Sequence, residues 1–403
     1  MQRVFVTGVG IVSVLGCTRK AVTGALYAGR SGIVSDASRL DAGLRSPLTG
    51  RIDGFDPSRL SRKQRKSMPE FAAQAACAAL DALNHAGLEP EDCANERFGL
   101  VFGNDSTVLA TVEQTEALRE TGSTQSLGSG HVFRQMNSTI TMNLNVLLGN
   151  RGPSWTVGAA CASGLYALGQ AADQIRLGRL DRVLCGAAQE LNWQSVAAFD
   201  GLGAFSLREP AETASRPFDR GRDGLVPSGG AAALLLESED AARSRGAVPL
   251  AEIAGFGMSS DGSHLSLPSD TGLAQAMRGA LADARLTAGD IDIVSAHATS
   301  TPRGDAAEAA NLRALFGADC PPVTALKSLT GHELWMSGAS QAVYAILMAQ
   351  AGFTAATRNF EAPDAETAGI PVLTRRRDAP PHRVLCNAAG FGGSNAALVL
   401  EFA

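Results

Sequence analysis

Apolar residues run through this chain in short, nearly unbroken blocks separated by glycine-rich or polar turns. The shorter blocks read as strands covered on both faces. They are Val4 to Thr7, ending in Gly8-Val-Gly10; Phe98-Gly-Leu-Val-Phe102; Ser154 to Val157; Arg182-Val-Leu-Cys-Gly-Ala-Ala188; and Gly229 to Leu236. The longer blocks are rich in alanine and leucine. Phe71 to Ala86, after Pro69, is a helix by propensity, and a second helix opens at or near Cys161 and ends near Gly178. Residues 104–150 carry no clean period and read as an elaboration on the core. Residues 191–228 read as irregular, with a polar loop at Ser215-Arg-Pro-Phe-Asp-Arg-Gly-Arg-Asp223.

The pattern then recurs. Gly8-Val-Gly-Ile-Val-Ser13 is echoed by Gly255-Phe-Gly-Met-Ser-Ser260, and Arg182-Val-Leu-Cys-Gly-Ala-Ala188 by Arg383-Val-Leu-Cys-Asn-Ala-Ala389. The strand, turn and helix around Cys161 correspond to Val323-Thr-Ala-Leu-Lys327, followed by His332 and an alanine-rich helix. Three matches in the same order predict a duplicated βαβ-type unit. The expected fold is α/β, with two similar halves, residues 1–245 and 246–403, and a site where they meet.

Composition narrows the function. In 403 residues there are 44 glycines, 45% hydrophobic residues and 5% aromatics, which predicts a core of small aliphatic side chains with many close backbone approaches. No apolar run reaches the roughly 18 residues a membrane span needs, and the first residues read as a strand rather than a signal peptide. Seven scattered cysteines without a Cys-x-x-Cys pair fit reduced thiols in a cytoplasm. A net charge of −5 argues against a general nucleic-acid binder. Gly8-Val-Gly10 lacks the third glycine of a dinucleotide fingerprint. Against the acidic background, Arg59, Arg62, Lys63, Arg65 and Lys66 form a basic run, either a solvated helix face or a dock for an acidic partner.

The candidate chemistry centres on Cys161. A thiol at a helix start meets free N–H groups and the helix dipole, an arrangement expected to stabilise its thiolate. By itself a Cys among alanines reads more readily as a small core residue. Ile291-Asp-Ile-Val-Ser-Ala-His297 reads as a strand delivering a histidine, and Lys327-Ser-Leu-Thr-Gly-His332 sets a second histidine after a strand and before a helix. Gly390-Phe-Gly-Gly-Ser-Asn395 is a glycine-rich turn able to present N–H groups to an anion. Together these are the parts of nucleophilic acyl transfer. No His or Cys pair has metal-ligand spacing, so no metal is expected.

These motifs resemble, end to end, those of the β-ketoacyl-acyl carrier protein synthases of the thiolase fold, nearest the synthase I branch. The resemblance implies a layered αβαβα arrangement and no cofactor. It implies that Cys161 takes an acyl chain from a carrier protein's phosphopantetheine, and that His297 and His332 stabilise the enolate left when malonyl-carrier protein loses carbon dioxide. Lys327 then organises the histidines, with Glu308 and Asp305 in support. The N–H groups of Cys161 and Phe391 form an oxyanion hole, and the Phe391 ring gates the site. Thr299 and Thr301 bind the pantetheine, Arg62, Lys63 and Lys66 dock the acyl carrier protein, and Phe199 and Trp335 shape the pocket.

Two departures stand out. Family members usually have His-Gly-Thr where this chain has His297-Ala298-Thr299, and Gly-His-x-x-Gly-Ala-Ala-Gly where it has Gly331-His332-Glu-Leu-Trp335-Met-Ser-Gly338. Trp335 in place of a glycine is either local repacking or a reshaped pocket, the latter pointing to a ketosynthase of secondary metabolism. A thiolase-like acyltransferase is disfavoured because no cysteine adjoins Phe391. A chain-length-factor-like subunit is disfavoured because the nucleophile is present. A homodimer is the default, with residues 104–150 and a strand beside the nucleophile at the interface; a heterodimer with a chain-length-factor-like subunit is the alternative.

Overall fold

The computed structural model describes residues 2–402. The first half runs β1 (Val4–Ser13), α1 (Glu70–Ala86), β2 (Phe98–Gly103), α2 (Thr139–Leu148), β3 (Ser154–Val157), α3 (Ser163–Arg176), β4 (Arg182–Gln189), β5 (Gly230–Ser238). The second repeats the series as β6 (Ala251–Ser260), α4 (Gly272–Ala284), β7 (Ile293–Ser295), α5 (Pro302–Phe316), β8 (Val323–Thr324), α6 (Ser337–Gln350), β9 (Arg383–Ala389), β10 (Ser394–Glu401). The strands hydrogen-bond in the order β3-β2-β4-β5-β1 and then β6-β10-β9-β7-β8, so each strand of one half has its counterpart five numbers on. The halves join where β1 meets β6 antiparallel at Phe5–Glu252 and Val6–Ala251.

Three apolar clusters define the layers. Helices α1 and α2 cover the first half with Phe71, Leu83, Ile140 and Leu144 against Phe98 and Phe102. Helix α4 and α5 cover the second with Met277, Leu281 and Leu312 against Val294 and Leu385. Between the halves lie α3 and α6, whose Leu165, Leu168, Val343 and Ile346 pack with Ile11, Leu234 and Leu398 from both sides. This is the expected αβαβα layering of two duplicated halves. Among the described residues no helix is long and apolar enough to cross a membrane.

The glycine echo has a packing cause. Strand β1 does not end at Gly8 but continues to Ser13. A Cβ on Gly10 would lie 2.0 Å from the Ala78 carbonyl oxygen of α1, and one on Gly257 would lie 2.1 Å from the Ala276 oxygen of α4. Any side chain would push the helix off the strand. Residues 104–150 are also more than an elaboration. Ile140, Leu144 and Leu148 form a buried i, i+4, i+8 stripe on α2, obscured in the sequence by the Thr and Asn between them.

Candidate active site

The turn before α3 is a one-turn 3₁₀ segment, Ala160–Ala162, entered through Ala160 at φ 46°. It presents Cys161 at the head of the helix. Ser163 locks the turn, its hydroxyl donating to the Ala160 carbonyl (2.6 Å) and accepting from the Ala159 N–H (2.8 Å). A similar turn precedes α6: Leu334–Met336, entered through Leu334 at φ 42°. The two helix starts touch, with Gly164 and Gly338 each bare against the other's backbone; a Cβ on Gly338 would lie 2.5 Å from the Leu165 nitrogen. That contact brings the Cys161 sulfur within 3.2 Å of His332 Nε2.

His332 is held on three sides. Its N–H donates to the Val226 carbonyl (2.7 Å), and its carbonyl accepts from Ser228 (2.9 Å), so the segment read as irregular clamps the histidine. Its Nδ1 lies 3.1 Å from the Ser337 hydroxyl. With that hydroxyl donating, Nε2 carries the hydrogen and aims it at the sulfur. The histidine does not directly follow a strand as the sequence suggested: Lys327–Thr330 forms a short helix between β8 and His332. His297, two residues beyond β7, stands edge-on to it with ring centres 5.3 Å apart. The His297 N–H meets Glu308 (2.9 Å) and Asn387 (2.7 Å), and the Ala298 N–H donates to the other Glu308 oxygen (2.6 Å). Glu308 thus fixes the His297 backbone. Ala298 is fully buried without a left-handed backbone, so its methyl is accommodated.

Burial sets the charge states. Both imidazoles are held well below the ordinary 6.5, first by burial and then by the Lys327 charge, so both are neutral donors at neutral pH. Lys327 is 3% exposed and its Nζ has no hydrogen-bond partner among the described residues. Burial lowers its pKa, and Glu308 and Glu333 are the leading charges opposing that shift. The expected resting thiolate is not what the site favours. Burial pushes the Cys161 thiol up to about 12, outweighing the pull of Lys327. The free site therefore holds a neutral thiol.

A cavity of about 340 Å³ opens onto Cys161, His297 and His332. Thr299 and Thr301 line it, their hydroxyls 2.9 Å apart, as do Phe199 and Leu334. Phe391 is 41% exposed and stacks on Phe199 at 5.7 Å, at the opening. Among the described residues the N–H groups of Cys161 and Phe391 donate to no backbone carbonyl outside their own short turns. Asp305 does not reach the cavity; it braces the walls by accepting from Phe218 N–H (2.7 Å) and Ser300 N–H (3.1 Å). Trp335 does not line the cavity either. It lies behind Cys161 in an apolar cluster with Val196, Phe205 and Leu225, its indole N–H 3.3 Å from Ser106 Oγ. Arg62, Lys63 and Lys66 are exposed and form no ion pair among the described residues. The sequence reading missed Asn387, Glu333 and Ser337.

A buried cysteine at a helix start, two neutral imidazoles and a narrow cavity define a centre for acyl transfer through a thioester. The sequence comparisons are specific: residues 1–242 match the Beta-ketoacyl synthase N-terminal domain and residues 250–361 its C-terminal domain. The chain belongs to the β-ketoacyl synthase family. It is 35% identical to 3-oxoacyl-[acyl-carrier-protein] synthase 1 of Escherichia coli K12, covering 100% of this chain and 99% of that one. Among solved structures, a β-ketoacyl synthase from Burkholderia phymatum STM815 superposes with a TM-score of 0.95 at 36% identity, both chains covered in full. The ishigamide ketosynthase/chain length factor superposes at 0.92 with 30% identity, over 100% of this chain and 99% of that one.

Proposed function

We propose that the chain is a β-ketoacyl-acyl carrier protein synthase that joins an acyl group on Cys161 to malonyl-carrier protein with loss of carbon dioxide. The observation that carries this is the 3.2 Å contact of Cys161 with His332, with His297 beside it in one cavity. In the first step the Cys161 sulfur attacks the acyl thioester, and its proton leaves with the pantetheine thiol. In the second, malonyl thioester loses carbon dioxide, and the released electron pair becomes an enolate whose oxygen accepts from the His297 and His332 N–H groups. No base is needed at carbon; the demand is for stabilised negative charge in a dry pocket. In the third, the carbanion attacks the acyl-Cys161 carbonyl, the oxyanion is held by the N–H groups of Cys161 and Phe391, and the sulfur is expelled and reprotonated. Lys327 supplies fixed positive charge, Glu308 positions His297, Thr299 and Thr301 hold the pantetheine, and Phe391 gates the entrance.

Trp335 fills the space behind the sulfur, and with Phe199 it limits how far an acyl chain extends past Cys161. Arg62, Lys63 and Lys66, exposed and unpaired, are the dock for the acidic carrier. The chain acts with a second subunit, a copy of itself or a chain-length-factor-like relative. Support comes from exposed Val132, Phe133, Met136 and Val146 within residues 104–150, and from β3, which among the described residues pairs on one side only. We place the division between halves at residues 245 and 246, between β5 and β6. The test is to combine the purified protein with acyl- and malonyl-carrier protein and look for β-ketoacyl-carrier protein and carbon dioxide together. Carbon dioxide without condensed product would leave a decarboxylase only.

A further inference from the structure

The two helix starts carry the same residue type and use it differently. Ser163 opens α3 and Ser337 opens α6, each directly after a 3₁₀ turn. In the first turn the Ser163 hydroxyl is committed to the backbone, to the Ala160 carbonyl and the Ala159 N–H. The equivalent groups of the second turn belong to Leu334 and Glu333, and among the described residues the Ser337 hydroxyl meets neither. It meets His332 Nδ1 instead, at 3.1 Å. The second turn closes without it, because the Met336 N–H donates to the Glu333 carbonyl at 3.0 Å, as the Ala162 N–H does to Ala159. Ser337 also stands where the family pattern Gly-His-x-x-Gly-Ala-Ala-Gly has an alanine, so the hydroxyl on the histidine is a departure of this chain.

The direction of this hydrogen bond follows from counting donors. Ser337 is 1% exposed, so a hydroxyl hydrogen turned away from His332 would be buried without an acceptor among the described residues. The hydroxyl therefore donates, and Nδ1 can accept only as the bare nitrogen of a neutral ring. We propose that Ser337 is a positioning residue that holds the single ring hydrogen of His332 on Nε2. His332 is then a permanent donor, toward the Cys161 sulfur at rest and the thioester oxygen during reaction, and never the base that takes the thiol proton. The inference rests on the donor role given above to His332. His297 has no such constraint, since its buried Nδ1 meets no hydrogen-bonding group among the described residues. One histidine of the pair is fixed in its tautomer and the other is not.

The test is the tautomer of His332, read from proton–nitrogen correlation spectra of the full chain with isotope-labelled histidine. Nε2 is recognised by its coupling to both carbon-bound ring hydrogens, and the His332 signals are those missing from His332→Asn. This readout needs no acyl or malonyl substrate, so it separates failure of this inference from failure of the condensing function. The wild type is expected to carry the hydrogen on Nε2 alone. Ser337→Ala installs the residue of the family pattern; it should move part of the His332 hydrogen to Nδ1 and leave the His297 signals in place. Decarboxylation of malonyl-carrier protein by that variant should fall about fivefold in kcat with KM unchanged, the size of one net hydrogen bond. Ser337→Thr keeps the hydroxyl and should keep the wild-type tautomer, whereas a merely structural serine would make the two variants alike. A wild-type hydrogen on Nδ1, or His332 signals that do not move in Ser337→Ala, overturns the proposal. The wild-type spectrum can overturn it alone, so the test does not depend on the variants folding.

Discussion

The turns into α3 and α6 share a backbone and differ in what they carry. Both pass through a left-handed residue, Ala160 and Leu334, into a 3₁₀ turn and then a 14-residue helix that opens with a serine and a glycine. Aligned on those features, Cys161 corresponds to Trp335, and Gly158-Ala159-Ala160 to His332-Glu333-Leu334. The first turn is stripped to small residues around a sulfur, leaving room for a thioester. The second is filled: a histidine aimed at that sulfur, a buried acid, and an indole packed behind it. Duplication supplied two equal frames, and side-chain size divided the labour between nucleophile and hydrogen-bond donor.

The sharpest way to break the comparison is to empty the second turn. His332→Ala leaves Cys161 without its 3.2 Å neighbour, and condensation is expected to fall roughly 100- to 10,000-fold in kcat. A loss under tenfold would show that the second turn is scaffold only. Next is Trp335→Ala. Removing a buried indole costs about 3–5 kcal/mol in urea unfolding, and the variant should load longer acyl chains than the wild type. An unchanged chain-length limit would make Trp335 packing alone.

A smaller effect separates strain from burial. Ala160→Gly relieves a left-handed alanine, and after the extra freedom of unfolded glycine it stabilises by about 0.5 kcal/mol. Leu334→Gly relieves the same strain but removes a side chain 1% exposed, so it destabilises by about 2 kcal/mol or more. Equal effects at the two positions would deny the difference in packing. The smallest effect is a slope. The folded site keeps both imidazoles neutral below the ordinary 6.5, so as pH falls the unfolded chain takes up protons first. Their stability contribution is present above that value and lost below it. A chain with His297→Asn and His332→Asn should therefore lose less Tm between about pH 7 and about pH 5 than the wild type. A steeper loss would mean the histidines are charged at rest.

What the sequence showed follows from how each element is buried. Strands such as Arg182–Gln189, covered on both faces, write a continuous apolar run, and the run's recurrence at Arg383 revealed the duplication. Helix α2 was illegible because its stripe is interleaved with Thr and Asn. Cys161, His297 and His332 were readable as reactive types at element ends. Their charge states were not, since burial is a tertiary property: the helix start pointed to a thiolate, and enclosure favours the thiol. Asn387, Glu333 and Ser337 were missed, although Asn387 left a signal as a polar residue inside an otherwise apolar strand, while Glu333 and Ser337 sit in the turn and at the helix start beyond His332. Asn387 stands where the echoed strand has Gly186.

The central claim is that Cys161 carries the acyl group, and intact mass after incubation with acyl-carrier protein tests it directly. The account predicts one acyl adduct on the wild-type chain, located on the Cys161 peptide and missing from Cys161→Ala. An adduct that persists in Cys161→Ala, or that maps to another residue of the loaded wild type, would contradict it.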